Sequence, residues 1–378
     1  MNNIEWLLEN AGPAIKLRMM NEGLVEKTEA EYEEAAKKIL SIDKVQTVLG
    51  YMDDFKNSEA MGERELVARI HNCYENCPET FFLFLHNMGL SKGIPLFDEK
   101  IGALRETCVH LSKTSGWGAY PLGGIGWFGA NIVAYNLLKA GYYFDELTVH
   151  LAARLNAISK AADEKVFDIY ETDLNNIRQP NRWKEKVILK DFCNPYLPGT
   201  PLPLNYDMEF AVYLYRFTDD SELKKKIDGL FEYILTPEYQ KLRGDYGWHW
   251  DETKNTYHAS NPGVYLPLYL NGELSKGDCF FFLNTVDKYS NSPVVIKSGW
   301  PRKCYEYLLQ YNTGRGTYRF PDELFSWHVR NPGSVSILYK AYISEEKFAK
   351  TKPPARKSLA FEIYGTFFME MMRKRLET

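Results

Sequence analysis

Residues 244–263 read GDYGWHWDETKNTYHASNPG, and residues 316–333 read GTYRFPDELFSWHVRNPG. Offset by 70 residues, the two align without a gap. Trp248 falls on Tyr318, Trp250 on Phe320 and Tyr257 on Trp327, and His258-x-x-Asn261-Pro262-Gly263 falls on His328-x-x-Asn331-Pro332-Gly333. Self-similarity at such a period marks a repeat architecture, in which one supersecondary unit recurs and stacks on its neighbours. The helices upstream echo one another as well, with Phe231–Leu235 before the first copy and Tyr305–Leu309 before the second.

Outward from these two loops the chain reads as helix after helix. Apolar residues recur at helical spacing in stretches such as ERELVARIHNCY, PETFFLFLHNMGL, EKIGALRETCVHLSK, WFGANIVAYNLLKAG and KGDCFFFLNTVDKYS. Asp220-Ser221-Glu222 opens one helix, Gly141 closes another, and Pro237, Pro262 and Pro332 sit near boundaries. The strand-like runs KVILKDF and SPVVIK have no evident pairing partner. About a dozen long helices joined by short Gly/Pro/aromatic loops predict an all-α protein of stacked helical hairpins, which either remain an open solenoid or close into an α/α toroid. No segment has the length and polarity of a free linker. The chain is therefore expected to be one domain over 1–378, with an N-terminal helical segment of about 1–60 packed on the ring.

Composition narrows the partners. Among 378 residues, 45% are hydrophobic and 25% charged, enough for a sizeable core, and the net charge of −4 carries no basic run that would favour nucleic acid. No run of about 18 apolar residues predicts a membrane span. The N-terminus has no basic region leading into an apolar one, and the six cysteines are scattered. A cytoplasmic protein with free thiols is the expectation. Aromatics make up 15% of the chain, and they fill cores as readily as they line apolar or sugar-binding pockets.

Before the second copy, Leu308-Leu309-Gln310 precedes Gly316-x-Tyr318, and before the first lie Gln240 and Gly247-Trp248. A third stretch, Trp117 through Asn131, carries a Gly-Trp without the Gln. This pattern resembles the Gln…Gly-x-Trp repeat of terpenoid cyclases and the related protein prenyltransferases, with Tyr for Trp in one copy. The resemblance implies an α/α toroid whose Gln residues tie one hairpin to the next, and an aromatic-lined cavity for an isoprenoid-like ligand. The family's catalytic residues do not carry over. The Asp-x-Asp-Asp acid of the cyclases is missing, and the Asp-x-Cys zinc pair of the prenyltransferases is replaced by adjacent Asp278-Cys279.

Candidate chemistry then rests on residue types. His71-x-Cys73-x3-Cys77 has zinc-ligand spacing, but on a helix residues 73 and 77 share a face and read more simply as a reduced core pair, so no metal is assigned. His258 is either a loop-bracing residue or, on the cavity face, an acid–base group, since imidazole titrates near neutrality. Asp207, Asp245 and Asp251 are the neighbouring carboxylates, with Asp207 read equally well as a helix-capping residue. Tyr206, Tyr246, Trp248, Trp250, Tyr257 and His328 are candidate ligand contacts. Three functions fit. One is a toroid binding an apolar small molecule, with acid–base chemistry by Asp or His. Another is a carbohydrate-active lyase or hydrolase, with Asn261, His258, Tyr246 and Arg315 or the pair Asp207 and Asp245 at work. The third is a non-catalytic helical scaffold. No motif names a cofactor.

Overall fold

A computed structural model describes residues 2–72, 74–114, 126–194, 200–252, 254–260, 262–329 and 332–377, with the backbone alone for 114, 126, 180, 326–329 and 332–336. Helix accounts for 65% and strand for 4% of it, so the chain is predominantly helical, as its periodicity predicts. Asp220, Pro237 and Pro332 open helices as the sequence predicts, whereas Pro262 lies outside any helix. Asp220 caps Ser221–Ile234 by accepting from Glu222 N (2.9 Å) and Leu223 N (3.0 Å). Pro78, Pro237 and Pro293 each stand in the first turn of a helix, where a missing N–H costs nothing.

Four helices stand side by side at the centre: Pro78–Asn87, Gly126–Lys139, Asn205–Leu214 and Lys276–Tyr289. Gly126–Lys139 packs on Pro78–Asn87 and on Asn205–Leu214, which in turn meets Lys276–Tyr289. Pro95–Thr114, Asp145–Asp163 and Ser221–Ile234 pack outside them. The terminal helices meet: Asn3–Asn10 and Pro13–Asn21 lie on Pro353–Glu377, which is buried along most of its length. One apolar core runs from Leu7 to Met372.

The two aligned stretches do not share a structure. The first is a β-hairpin, β1 (Trp248–Asp251) paired antiparallel with β2 (Thr256–Ala259), with His249 opposite His258. The second runs from an Asn312–Tyr318 bridge into a 3₁₀ helix, Asp322–Val329, and then a helix from Pro332. His258 and His328 thus do not sit at equivalent points of successive hairpins. The physical reason is a partner for β1. Trp248 N donates to Val187 O (2.9 Å) and Leu189 N to Trp248 O (2.7 Å), so the KVILKDF run extends the hairpin. The second copy has Pro321 where the first has Asp251, and a proline cannot donate to such a ladder. SPVVIK forms the short helix Pro293–Lys297.

The glutamines also divide unexpectedly. Gln240 is buried and joins two segments, donating to Ile234 O (2.9 Å) and Val264 O (3.2 Å) while accepting from Leu266 N (2.9 Å). Gln310, whose spacing matches the repeat more closely, is exposed and bonds only Tyr307 O of its own turn among the described residues. Cys108, Cys193, Cys279 and Cys304 are free thiols; Cys73 lies outside the described residues. No described helix is long and apolar enough to cross a membrane.

Candidate functional site

The central helices line a cavity of about 990 Å³. Each contributes one stripe at helical spacing: Glu79, Leu83 and His86; Ile132, Tyr135, Asn136 and Lys139; Asn205, Tyr206 and Glu209; Asp278, Phe281, Asn284 and Lys288. The loop segment Pro262, Gly263 and Tyr265 forms part of the wall.

Near the start of Pro78–Asn87 sits the most connected group of the wall. Glu79 Oε2 lies 2.7 Å from His71 Nδ1, and its Oε1 accepts from the Tyr206 hydroxyl at 3.3 Å. Pro78 starts this helix, so Glu79 lies in its first turn, where the helix dipole favours a carboxylate. The ring of Tyr206 is held edge-on by Phe128 (centroids 4.7 Å apart) and His71 (5.9 Å). Asn72 and Glu75 line the same region, Glu75 paired with Lys44. Deeper, Lys288 is paired with Glu209, which also accepts from Asn205 Nδ2 (2.6 Å), and Tyr289 donates to Asn205 Oδ1 (2.8 Å). His86 is kept neutral: desolvation by burial, with Lys139 next in effect, pushes its pKa well below the ordinary histidine value.

Of the residues the sequence singled out, Tyr206 lines this cavity. Asp207 does not. It is fully buried in a bidentate pair with Arg154 (Nε 2.8 Å, Nη2 2.7 Å), accepts from Asn131 Nδ2 (2.9 Å), and caps its own helix through Leu204 N (2.9 Å). Tyr246 is buried behind the wall, its hydroxyl 2.5 Å from that of Tyr239 and 2.7 Å from Pro203 O. Asp245 is tied to Arg243 by two 2.9 Å bonds at an exposed turn. Asp251 and His258 do come together, with Oδ2 and Nε2 3.5 Å apart. They sit on the hairpin and do not line the cavity. Trp250 and Tyr257 face inward there, with Trp183, Ile177 and Ile188, as a second small core bordered by Trp248. The alternation of a strand explains this: residues packing that core leave their neighbours facing away from it. The side chain of His328 and residue Asn261 lie outside the described residues.

Sequence reading did not single out Glu79, Asn205, Glu209 or Lys288. Two signals were present: the Cys77-Pro78-Glu79 helix start, and the proline-rich entry that delivers Asn205 and Tyr206 to the cavity. His71, read with Cys73 and Cys77 as a possible zinc ligand, instead faces Glu79, and no metal-binding cluster occurs among the described residues. No family model, curated protein or solved structure matches the chain.

Proposed function

We propose that the chain is an α/α toroid whose central cavity binds a hydroxyl-rich small molecule of the saccharide class. Tyr206, Glu79 and His71 perform acid–base chemistry on it. The observation that carries this reading is the hydrogen-bonded Tyr206–Glu79–His71 chain on the wall of a cavity also lined by Asn72, Asn87, Asn136, Asn205 and Asn284. Carboxamides donate and accept together, which matches hydroxyl groups. An isoprenoid would cover the Asn87 and Asn284 carboxamides without pairing them, at a cost of roughly 1–3 kcal/mol for each one left unsatisfied. Phe281 and Tyr265 line the cavity yet stay 52% and 40% exposed, flat faces on which a sugar ring can stack. The meeting of the terminal helices supports the closed ring.

In this reading Glu79 is the proton-transferring group, with Tyr206 on one oxygen and His71 on the other fixing its direction. A carboxylate so held moves a proton to or from a bound hydroxyl or glycosidic oxygen within hydrogen-bond reach. The test is calorimetric titration with a panel of neutral and acidic oligosaccharides, and with farnesol as the apolar competitor. Saccharide binding that weakens in Asn284→Ala, with turnover lost in Glu79→Gln, supports the reading. Binding of farnesol alone returns the cavity to the isoprenoid class.

A further inference from the structure

A second chamber, of about 260 Å³, adjoins the first, and Leu83, His86, Asn87, Lys139 and Asn284 line both. It takes the C-terminal ends of the helices that line the main cavity. Its charge is one-sided: six cationic side chains face two carboxylates, Glu22 and Asp287. Arg375 uses both acids, through Asp287 Oδ1 (3.1 Å) and Glu22 Oε2 (2.8 Å), and Lys139 approaches Asp287 Oδ2 at 3.4 Å. Arg18, Lys27, Lys92 and Arg216 form no ion pair among the described residues.

Cations at helix C-termini commonly satisfy terminal carbonyls. Arg375 does so, donating to Asp287 O at 2.7 Å and to Ser290 Oγ at 2.9 Å. Arg18 is different. Its guanidinium lies over the Phe367 ring at 4.6 Å and interacts with the Tyr342 and Tyr364 side chains, and its Nη1 is buried with no hydrogen-bond partner among the described residues. His86 Nε2, on the wall shared by the two chambers, is also buried and has no hydrogen-bond partner among the described residues. A buried donor on a charged group left unpaired is costly, and an acceptor supplied by a ligand removes that cost. Lys27, Lys92 and Arg216 are exposed, and add positive potential around the chamber.

We propose that this chamber is a binding site for a phosphate-type oxyanion, with Arg18 as its buried anchor and Arg216 and Lys92 as outer contacts. The proposal is independent of what occupies the central cavity. Sodium phosphate is titrated into the protein at pH 7.5 by calorimetry and thermal melting, against sodium chloride of equal ionic strength. Phosphate is expected to raise the melting temperature where chloride does not, with affinity falling as salt is added. The exposed double variant Arg216→Gln/Lys92→Gln should weaken phosphate by about tenfold or more without changing the unliganded melting temperature. Arg18→Gln should abolish binding. Glucose 6-phosphate in the same titration separates two sources of the anion: equal affinity indicates a free anion, and tighter binding indicates the charged end of a ligand reaching from the central cavity. Phosphate acting no differently from chloride, or unchanged phosphate affinity in the double variant, overturns the proposal.

Discussion

Two carboxylates, Asp207 and Glu79, show why residue type alone does not locate a site. Asp207 was legible as a helix-start residue, and the structure makes it that. Its partner Arg154 lies 53 positions away and comes from another helix, which no local pattern announces. Replacing Asp207 with Asn leaves the buried guanidinium of Arg154 without its counter-charge, and losing one partner of such a pair costs roughly 3–5 kcal/mol. Urea denaturation is expected to show a loss of that order. Glu79→Gln, at a partly exposed position, should stay within about 0.5 kcal/mol of the parent in the same measurement, while the proposed function predicts that it loses turnover. Equal stability losses in the two variants would make Glu79 structural and remove it from the chemistry. Gly263 gives a different residue-scale constraint. A Cβ there would stand 2.5 Å from Tyr246 Cζ, and that ring is pinned by Tyr239 and Pro203. Gly263→Ala is expected to cost on the order of 1–3 kcal/mol, as overpacking does, read from the same urea curves.

At the scale of elements, the helices were readable because each carries its own periodicity and its own start and stop signals. The β-hairpin was not, although Trp248-His249-Trp250-Asp251 and Thr256-Tyr257-His258-Ala259 both alternate. Alignment with residues 316–333 drew attention to shared residue types, whereas backbone pairing with Val187 and Leu189 decided the structure. The shared aromatics therefore serve unlike packing: Trp250 and Tyr257 fill the hairpin's own core, and Phe320 packs against Phe368 in the main one. Because these cores are separate clusters, the hairpin should loosen on its own. Trp250→Ala removes an aromatic that meets Tyr257 edge-on at 5.1 Å, a change worth roughly 3–5 kcal/mol in a packed core. The expected result is faster proteolytic cleavage within 244–263 and a weaker near-ultraviolet signal, with the helical far-ultraviolet spectrum and main melting transition retained. A single lowered transition for the whole chain would show instead that the hairpin unfolds with the helical body.

For the whole molecule, the helical class followed from sequence because helices are local. The cavity did not, because it is made by stripes from four helices and its polar groups look like ordinary surface residues when read one helix at a time. The same long-range burial sets the pH response. Histidine ordinarily titrates near pH 6.5. Burial holds His249 down to about 4, with His258 adding to the effect, and holds His150 down to about 3, with the Arg154 charge adding. His86 is pushed well below its usual value by the same cause. A folded pKa below the unfolded one means that the unfolded chain binds protons that the folded chain refuses. Stability from these groups is thus complete above about pH 6.5 and declines as pH falls toward the folded values. Near pH 5.5 His150 and His249 alone should make unfolding take up nearly two protons, a slope of roughly 2.5 kcal/mol per pH unit, and His86 adds in the same direction. Asp287 reinforces the trend at lower pH, since Lys139, Arg375 and Arg18 overcome its desolvation and hold its carboxyl below the usual range. Urea midpoints at pH 7.5, 6.5, 5.5 and 5.0 should be level over the first two and drop steeply over the last two. The steepness should shrink in His150→Gln, whose amide nitrogen can take the place of the His150 Nε2 that lies 2.8 Å from Asn131 Oδ1, while removing its titration. A midpoint that stays level down to pH 5 would mean that water reaches these histidines and that the helices around the cavity are less tightly closed than their packing indicates.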